Sequence, residues 1–140
     1  MNILFLCVAN SARSQMAEGL AKKILPQTIK VMSAGSAPGK LVHPLAIQVM
    51  SEIKIDISNH FPKSIDSLGQ EFTSELDLII TLCREEQCPV LPGSAKVESW
   101  ALPDPADAVG ALDRQSEQFR IIRNQIQDRI DDLKRRLSGS

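Results

Sequence analysis

The sequence lacks several features that would assign it to other classes of protein. Its 140 residues carry a formal net charge of −1, so no basic excess points to nucleic acid or to an anionic membrane. Its apolar runs are far too short to span a bilayer, and the N-terminus shows neither a basic segment nor a cleavage site. We therefore expect a cytoplasmic protein that binds neither nucleic acid nor membrane, in which any anion is bound by a local site.

The sequence is also poor in cysteine and histidine. Its three cysteines are Cys7, Cys83 and Cys88, and an odd number without an export signal argues against a structural disulfide framework. Cys83 and Cys88 lack a second close pair, and neither His43 nor His60 is spaced to join them, so we predict no metal site. Both histidines are expected to be structural or surface residues. Inert buried thiols and redox chemistry remain as alternatives for the cysteines.

The residues that are present indicate one globular α/β domain over residues 1–140, since 43% are hydrophobic and 24% are charged. Short apolar segments alternate with segments of helical spacing, which predicts a four-stranded parallel sheet flanked by helices on both faces. No element is predicted in the polar stretch 56–67. The predicted strands are Asn2–Leu6, Ile29–Ser33, Leu76–Leu82 and Val97–Trp100, and helical spacing runs from Met16 to Ile24, Pro44 to Ile53 and Phe119 to Leu137.

The most informative segment joins the first strand to the first helix, where Cys7 and Arg13 flank five small or polar residues. The N–H groups and the dipole at a helix start attract an anion, and a guanidinium adds a two-pronged clamp. The same field favours a thiolate, which makes Cys7 a candidate nucleophile. Because the carboxyl ends of parallel strands share one edge of a sheet, Cys83 can meet Cys7 there. The alternative is a buried strand cysteine with an unrelated arginine nearby.

The chain resembles, in order and along nearly its whole length, the arsenate reductases built on the low-molecular-weight tyrosine phosphatase fold. The fold expected from this resemblance is the same single α/β domain. Two cysteines near the end of the third strand are typical of the thioredoxin-coupled reductases. The matching segments are Cys7–Gly19, Ser33–Gly35, His43–Ile47, Ile55–Asn59, Thr81–Cys83, Cys88-Pro89, Trp100 and Asp104-Pro105.

The resemblance implies a three-cysteine mechanism. Cys7 attacks arsenate, Asp104 protonates the departing oxygen, Cys83 attacks Cys7, and Cys88 attacks Cys83. Thioredoxin then supplies the electrons, no cofactor is bound, and the segment Arg84–Gln87 rearranges to expose the disulfide. We expect a monomer. The oxyanion loop implied for arsenate, which phosphate or sulfate can also occupy, consists of Val8, Ala9, Asn10, Ser11, Ala12, Arg13 and Ser14.

Other functions fit part of the same pattern. A tyrosine phosphatase of this fold would use Cys7, Arg13 and Asp104, but such enzymes usually have an aromatic residue after the Asp-Pro pair. Here Ala106 follows, and the chain has no tyrosine. A non-catalytic oxyanion-binding or redox-sensing module is the alternative from another class. Asp107 rivals Asp104 as the acid, and coupling to glutaredoxin is disfavoured because this chain can form its own terminal disulfide.

Some members of this group of reductases hold potassium beside the active loop on Asn, Glu, Ser and Asp oxygens. Asn10, Glu18 and Ser33 match three of these positions, but Lys63 stands at the position of the aspartate. Because an ammonium repels a cation, we predict no potassium requirement. Considered without the resemblance, Glu18 is predicted to be a solvated helix residue and Trp100 to be part of the core.

Overall fold

A computed structural model describes residues 1–83, 91 and 93–139 of the chain. Its centre is a sheet of four parallel strands in the order β2-β1-β3-β4. The predicted parallel sheet is confirmed, with strand ends that differ from the predicted ones by one or two residues. The strands are β1 (Asn2–Cys7), β2 (Lys30–Gly35), β3 (Leu76–Thr81) and β4 (Lys96–Ser99).

Strand β1 lies in the interior of the sheet, and all six of its residues are buried. Ile3 and Phe5 belong to the larger of two hydrophobic clusters, and Leu4 and Leu6 belong to the smaller. Because side chains alternate across a strand, these two pairs face opposite sides of the sheet. Burial on both faces explains why β1 reads as an unbroken apolar run rather than as an alternating pattern.

Helices cover both faces of the sheet, as predicted, but unequally. The three longer helices, α1, α2 and α4, contact one another over the larger cluster. The short α3 and a single 3-10 turn, Ile65–Leu68, cover the other face through Leu68 and Phe72. The sequence did not predict these two elements because each is too short to show a period. The helices are α1 (Arg13–Ile24), α2 (Pro44–Ser51), α3 (Gln70–Ser74) and α4 (Leu112–Ser138).

The apolar stripe predicted for the last helix is confirmed. Its buried members pack in the larger cluster, and Leu137 is only partly buried. No helix within the described residues combines the length and the apolar character needed to cross a membrane. The buried stripe residues are Phe119, Ile122, Ile126, Ile130 and Leu133.

Two residues singled out in the sequence have structural roles. His43 precedes α2, and its Nδ1 atom accepts the N–H of Leu45 at 3.1 Å, which satisfies one free donor of the helix start. Trp100 is 1% exposed and its ring lies 5.8 Å from that of Phe5. The predictions of a structural histidine and a core tryptophan are therefore confirmed.

Candidate active site

The segment between β1 and α1 forms a loop in which three of the carbonyl groups point outward. The carbonyl oxygens of Val8, Ala9 and Ser11 accept backbone N–H groups from the neighbouring segment 37–43 at 2.8 to 2.9 Å. These hydrogen bonds fix three of the six peptide planes between Cys7 and Arg13, the first residue of the helix. The loop is thus held from outside by the backbone that follows β2.

The orientation of these carbonyls determines where the loop amides point. All described peptide bonds are trans, so each N–H lies antiparallel to the preceding C=O. The N–H groups of Ala9, Asn10 and Ala12 therefore point away from segment 37–43, to the inner side of the loop. The amide of Asn10 donates to the Cys7 sulfur at 3.2 Å, which agrees with this direction. Converging amides of this kind form an anion-binding concavity.

Asn10 determines the shape of the loop. Its φ of 52° is in the left-handed region that asparagine tolerates, and its side chain is completely buried. Its Oδ1 accepts N–H groups from Gln15 Nε2 and the Lys63 backbone, both at 3.0 Å. This arrangement leaves Nδ2 as the donor, and it donates to Ser14 Oγ at 2.7 Å and to Ser33 Oγ at 3.0 Å.

The Cys7 sulfur receives a second hydrogen bond from Ser14. Cys7 is a free and buried thiol, and its sulfur lies 2.8 Å from Ser14 Oγ. Because Ser14 Oγ already accepts from Asn10, its own hydrogen is available to the sulfur. Two hydrogen-bond donors are thus directed at one sulfur atom. Ser14 lies in the first turn of α1, but its side chain does not cap the helix. It hydrogen-bonds the Cys7 sulfur instead.

Arg13 is the first residue of α1 and is 5% exposed. Its Nη1 atom donates to the carbonyl oxygens of Leu82 at 3.1 Å and Leu102 at 2.9 Å. Its Nη2 atom lies 3.7 Å from Asp104 Oδ2. The guanidinium therefore joins the start of α1 to the segments that follow β3 and β4.

Of the two candidate acids, only Asp104 is brought to Arg13 in the part of the chain that the structure describes. Its Oδ1 accepts the Ala106 N–H at 3.0 Å, which turns Oδ2 toward the guanidinium. The side chain of Asp104 is 30% exposed, so solvent can reach the carboxyl. Asp107 is an exposed residue of the following 3-10 turn.

Cys83 follows the end of β3, as the sequence predicted, and is buried. The N–H of the preceding Leu82 donates to the carbonyl of Leu6 at 2.9 Å, so Cys7 and Cys83 leave adjacent strands directly after two bonded residues. Cys83 is disulfide-bonded, whereas Cys7 is free. Cys88 and the segment Arg84–Gln87, for which we predicted a relay role and a rearrangement, lie outside the described residues.

The prediction that Glu18 is a solvated helix residue is wrong. Glu18 is 4% exposed, because α1 is enclosed on all sides as far as Ala21. Burial alone would raise the pKa of its carboxyl, but hydrogen bonds from Lys22 and Ser33 and the charge of Lys63 outweigh burial and lower it. Glu18 is therefore a buried carboxylate beneath the active-site loop.

The histidines are held largely neutral. Burial lowers the pKa of His43 although the charge of Asp104 opposes this effect, and burial likewise lowers the pKa of His60 against the charge of Glu18. His60 Nδ1 lies 3.0 Å from Gln15 Oε1, so it supports the side chain that binds Asn10. Sequence reasoning missed Gln15, because no period or motif marks its contacts with Asn10, His60 and Phe61. Within the described residues, no group of three His, Cys, Asp or Glu side chains is placed to hold a metal.

Gly35, at the end of β2, is required by the close approach of the loop. A Cβ atom at this position would lie 2.3 Å from the carbonyl oxygen of Val8. We expect Gly35→Ala to lower the free energy of unfolding by about 1–3 kcal/mol, because the loop backbone must move. Gly39→Ala is the matched control, since its Cβ would lie 3.9 Å from the Ala9 carbonyl oxygen. Equal urea midpoints for the two variants would contradict this account.

Comparison with known proteins agrees with this geometry. The sequence profile of the family described as low molecular weight phosphotyrosine protein phosphatase matches residues 2–140. Arsenate reductase 2 of Staphylococcus epidermidis is 42% identical over 137 residues, which cover 96% of each chain.

Two solved structures have the same fold. One, described as an arsenate reductase in the phosphate binding state, has a TM-score of 0.78 and 33% identity over 96% of this chain and 97% of its own. The thioredoxin-dependent arsenate reductase of Corynebacterium glutamicum has a TM-score of 0.70 and 31% identity over 94% of this chain and 59% of its own. The resemblance inferred from the sequence is confirmed. The profile spans nearly every residue, and the chain therefore belongs to the low molecular weight phosphotyrosine protein phosphatase family.

Proposed function

We propose that this protein reduces arsenate to arsenite. The observation that carries the proposal is the free Cys7 sulfur inside an amide-lined loop, with Cys83 leaving the adjacent strand. The loop supplies a site for a tetrahedral oxyanion, and the second cysteine supplies the electrons that distinguish a reductase from a phosphatase. The relatives named as arsenate reductases support the same assignment.

In the first step, the oxyanion binds to the inward amides of the loop and to the Arg13 guanidinium. The thiolate of Cys7 attacks arsenic and forms a sulfur–arsenic bond, while one arsenate oxygen leaves. Asp104 protonates the leaving oxygen, which departs as water. Arg13 Nη2 lies 3.7 Å from Asp104 Oδ2, so the bound anion and the acid share one neighbour.

In the second step, the electron pair of the sulfur–arsenic bond reduces arsenic. The thiolate of Cys83 attacks the Cys7 sulfur, the sulfur–arsenic bond breaks, and its electron pair leaves with arsenic as arsenite. The product on the protein is a Cys7–Cys83 disulfide. Cys88 then attacks the Cys83 sulfur and releases Cys7 as a thiolate.

The dithiol of thioredoxin reduces the resulting Cys83–Cys88 disulfide and restores the enzyme. The thioredoxin-dependent relative supports this choice of reductant. Such a cycle needs a compartment in which thiols are kept reduced, so we place the protein in the cytoplasm. We propose that it acts as a monomer without a bound cofactor, since the relay uses only side chains of one chain.

A tyrosine phosphatase is the weaker alternative. It would use the same loop and acid but release phosphate by hydrolysis, with no need for Cys83. Ala106 after the Asp-Pro pair is exposed and offers no ring for an aryl substrate. Slow hydrolysis of small aryl phosphates is still expected, because the loop binds phosphate and arsenate through the same contacts.

The relay is tested with Cys88→Ser in an arsenate assay coupled to thioredoxin, thioredoxin reductase and NADPH. We expect one arsenite per chain and then no further turnover, because the Cys7–Cys83 disulfide has no internal thiol to resolve it. Mass spectrometry should find that disulfide. Cys83→Ser should release no arsenite yet still hydrolyse aryl phosphate. Sustained turnover by Cys88→Ser with thioredoxin would contradict the three-cysteine relay, and an absence of arsenite from the wild type would favour a binding module.

A further inference from the structure

We propose that Lys63 serves as a tethered cation beneath the active-site loop and positions the hydrogen bonds that reach Cys7. Its ammonium lies 3.4 Å from Glu18 Oε1 and 3.4 Å from Ser33 Oγ. Its side chain is only 17% exposed, and the Phe61 ring covers the ammonium with its centroid at 5.7 Å.

This cluster does not fit a bound potassium ion. Asn10 Oδ1, one of the oxygens such an ion would need, already accepts two N–H groups, from Gln15 and Lys63. Both of its lone pairs are therefore used. The oxygens of Glu18 and Ser33 face an ammonium instead, and a free cation would meet its charge at short range.

A directed chain of hydrogen bonds connects this cluster to the nucleophile. The Glu18 carboxylate can only accept, so Ser33 donates its hydroxyl hydrogen to Oε1 at 2.6 Å. The lone pairs of Ser33 then face the Asn10 amide and the Lys63 ammonium. Asn10 also donates to Ser14, whose hydrogen is directed to the Cys7 sulfur. Lys63 contacts both Glu18 and Ser33 and holds these two side chains in place, so each donor in the chain keeps its direction.

Lys22 provides a matched control because it also pairs with Glu18. Its ammonium lies 2.7 Å from Oε2, the other carboxylate oxygen, and its side chain is 52% exposed. Of the two lysines, only Lys63 also contacts Ser33. Replacing either lysine by methionine removes one positive charge next to the same carboxylate, but only Lys63→Met also removes a contact with Ser33, the residue that donates to Glu18 and accepts from Asn10.

The test measures alkylation of Cys7 by iodoacetamide in a Cys83→Ser/Cys88→Ser background, where Cys7 is the only thiol. At neutral pH, we expect Lys63→Met to lower the alkylation rate about three- to tenfold, since the hydrogen bonds directed at the Cys7 sulfur lose their fixed geometry. Lys63→Gln keeps a hydrogen-bond donor but no charge and should also lower the alkylation rate. It replaces Lys63→Met in the test if the methionine variant folds poorly. Lys22→Met should alkylate at the parental rate.

A second measurement tests the tethered cation on the wild-type protein. The melting temperature of the wild type should be equal in potassium and sodium chloride at constant ionic strength. A higher melting temperature in potassium would overturn the proposal, as would parental rates in Lys63→Gln or an equal loss in Lys22→Met. Alkylation involves no arsenate, so these results stand apart from whether the protein reduces arsenate.

Discussion

Replacing Cys7 by serine should abolish arsenate reduction, with a loss of about 10⁴-fold or more in kcat. A serine hydroxyl is not ionised at neutral pH, so it cannot attack arsenic from this loop. It also cannot form the disulfide through which Cys83 passes its electrons. The measurement is arsenite production coupled to thioredoxin and NADPH, with purified Cys7→Ser in place of the wild type.

The fold should survive this change, because serine is smaller than cysteine and Ser14 Oγ and the Asn10 amide can both bond its hydroxyl. We expect the thermal midpoint to stay within a few degrees, and we expect phosphate to raise it in both Cys7→Ser and the wild type. Aryl phosphate hydrolysis should be lost in Cys7→Ser and retained in Cys83→Ser. Arsenate turnover by Cys7→Ser within tenfold of the wild type would show that the nucleophile lies elsewhere.

Arg13→Lys should lower kcat/KM for arsenate by about 10²–10³-fold, although the charge is retained. Lysine has no planar fork, so it cannot bind the oxyanion and the carbonyls of Leu82 and Leu102 together. Those two buried carbonyls would lose their guanidinium donor, which should lower the free energy of unfolding by about 1–3 kcal/mol. Steady-state kinetics and urea unfolding measure the two effects separately.

Arg120→Lys is the matched control for this substitution. Arg120 also forms a two-pronged pair, with Glu52, but its side chain is 33% exposed and lies on the surface of α4. We expect the wild-type kcat/KM and a change in stability below about 1 kcal/mol. A similar fall in kcat/KM for both variants would show that Arg13 acts through general electrostatics. A wild-type kcat/KM in Arg13→Lys would show that Arg13 does not bind the oxyanion.

Much of this architecture could be predicted because local patterns carry it. The apolar β1 segment, the helical stripe of α4 and the strand–loop–helix spacing from Cys7 to Arg13 each depend on neighbours in sequence. The rule that parallel strands end at one edge then placed Cys83 beside the loop. These features need no knowledge of distant contacts.

The support beneath the loop could not be predicted from residues alone, because its partners are far apart in the chain. Glu18 reads as a polar position on an amphipathic helix, and only enclosure of α1 on all sides buries it. Lys63 binds Asn10 across the fold and Gln15 binds it from five residues along the chain, with no period or motif to mark either contact. The alignment of Lys63 with an aspartate in related reductases was the one signal available.

The most direct test of the account is a single turnover without thioredoxin. Fully reduced wild-type protein is mixed with excess arsenate, and arsenite and remaining thiols are counted per chain. The account predicts one arsenite per chain, the loss of two of the three thiols, and a Cys83–Cys88 disulfide with Cys7 free. Full retention of the thiols, or arsenite released while Cys7 is blocked by alkylation, would contradict it.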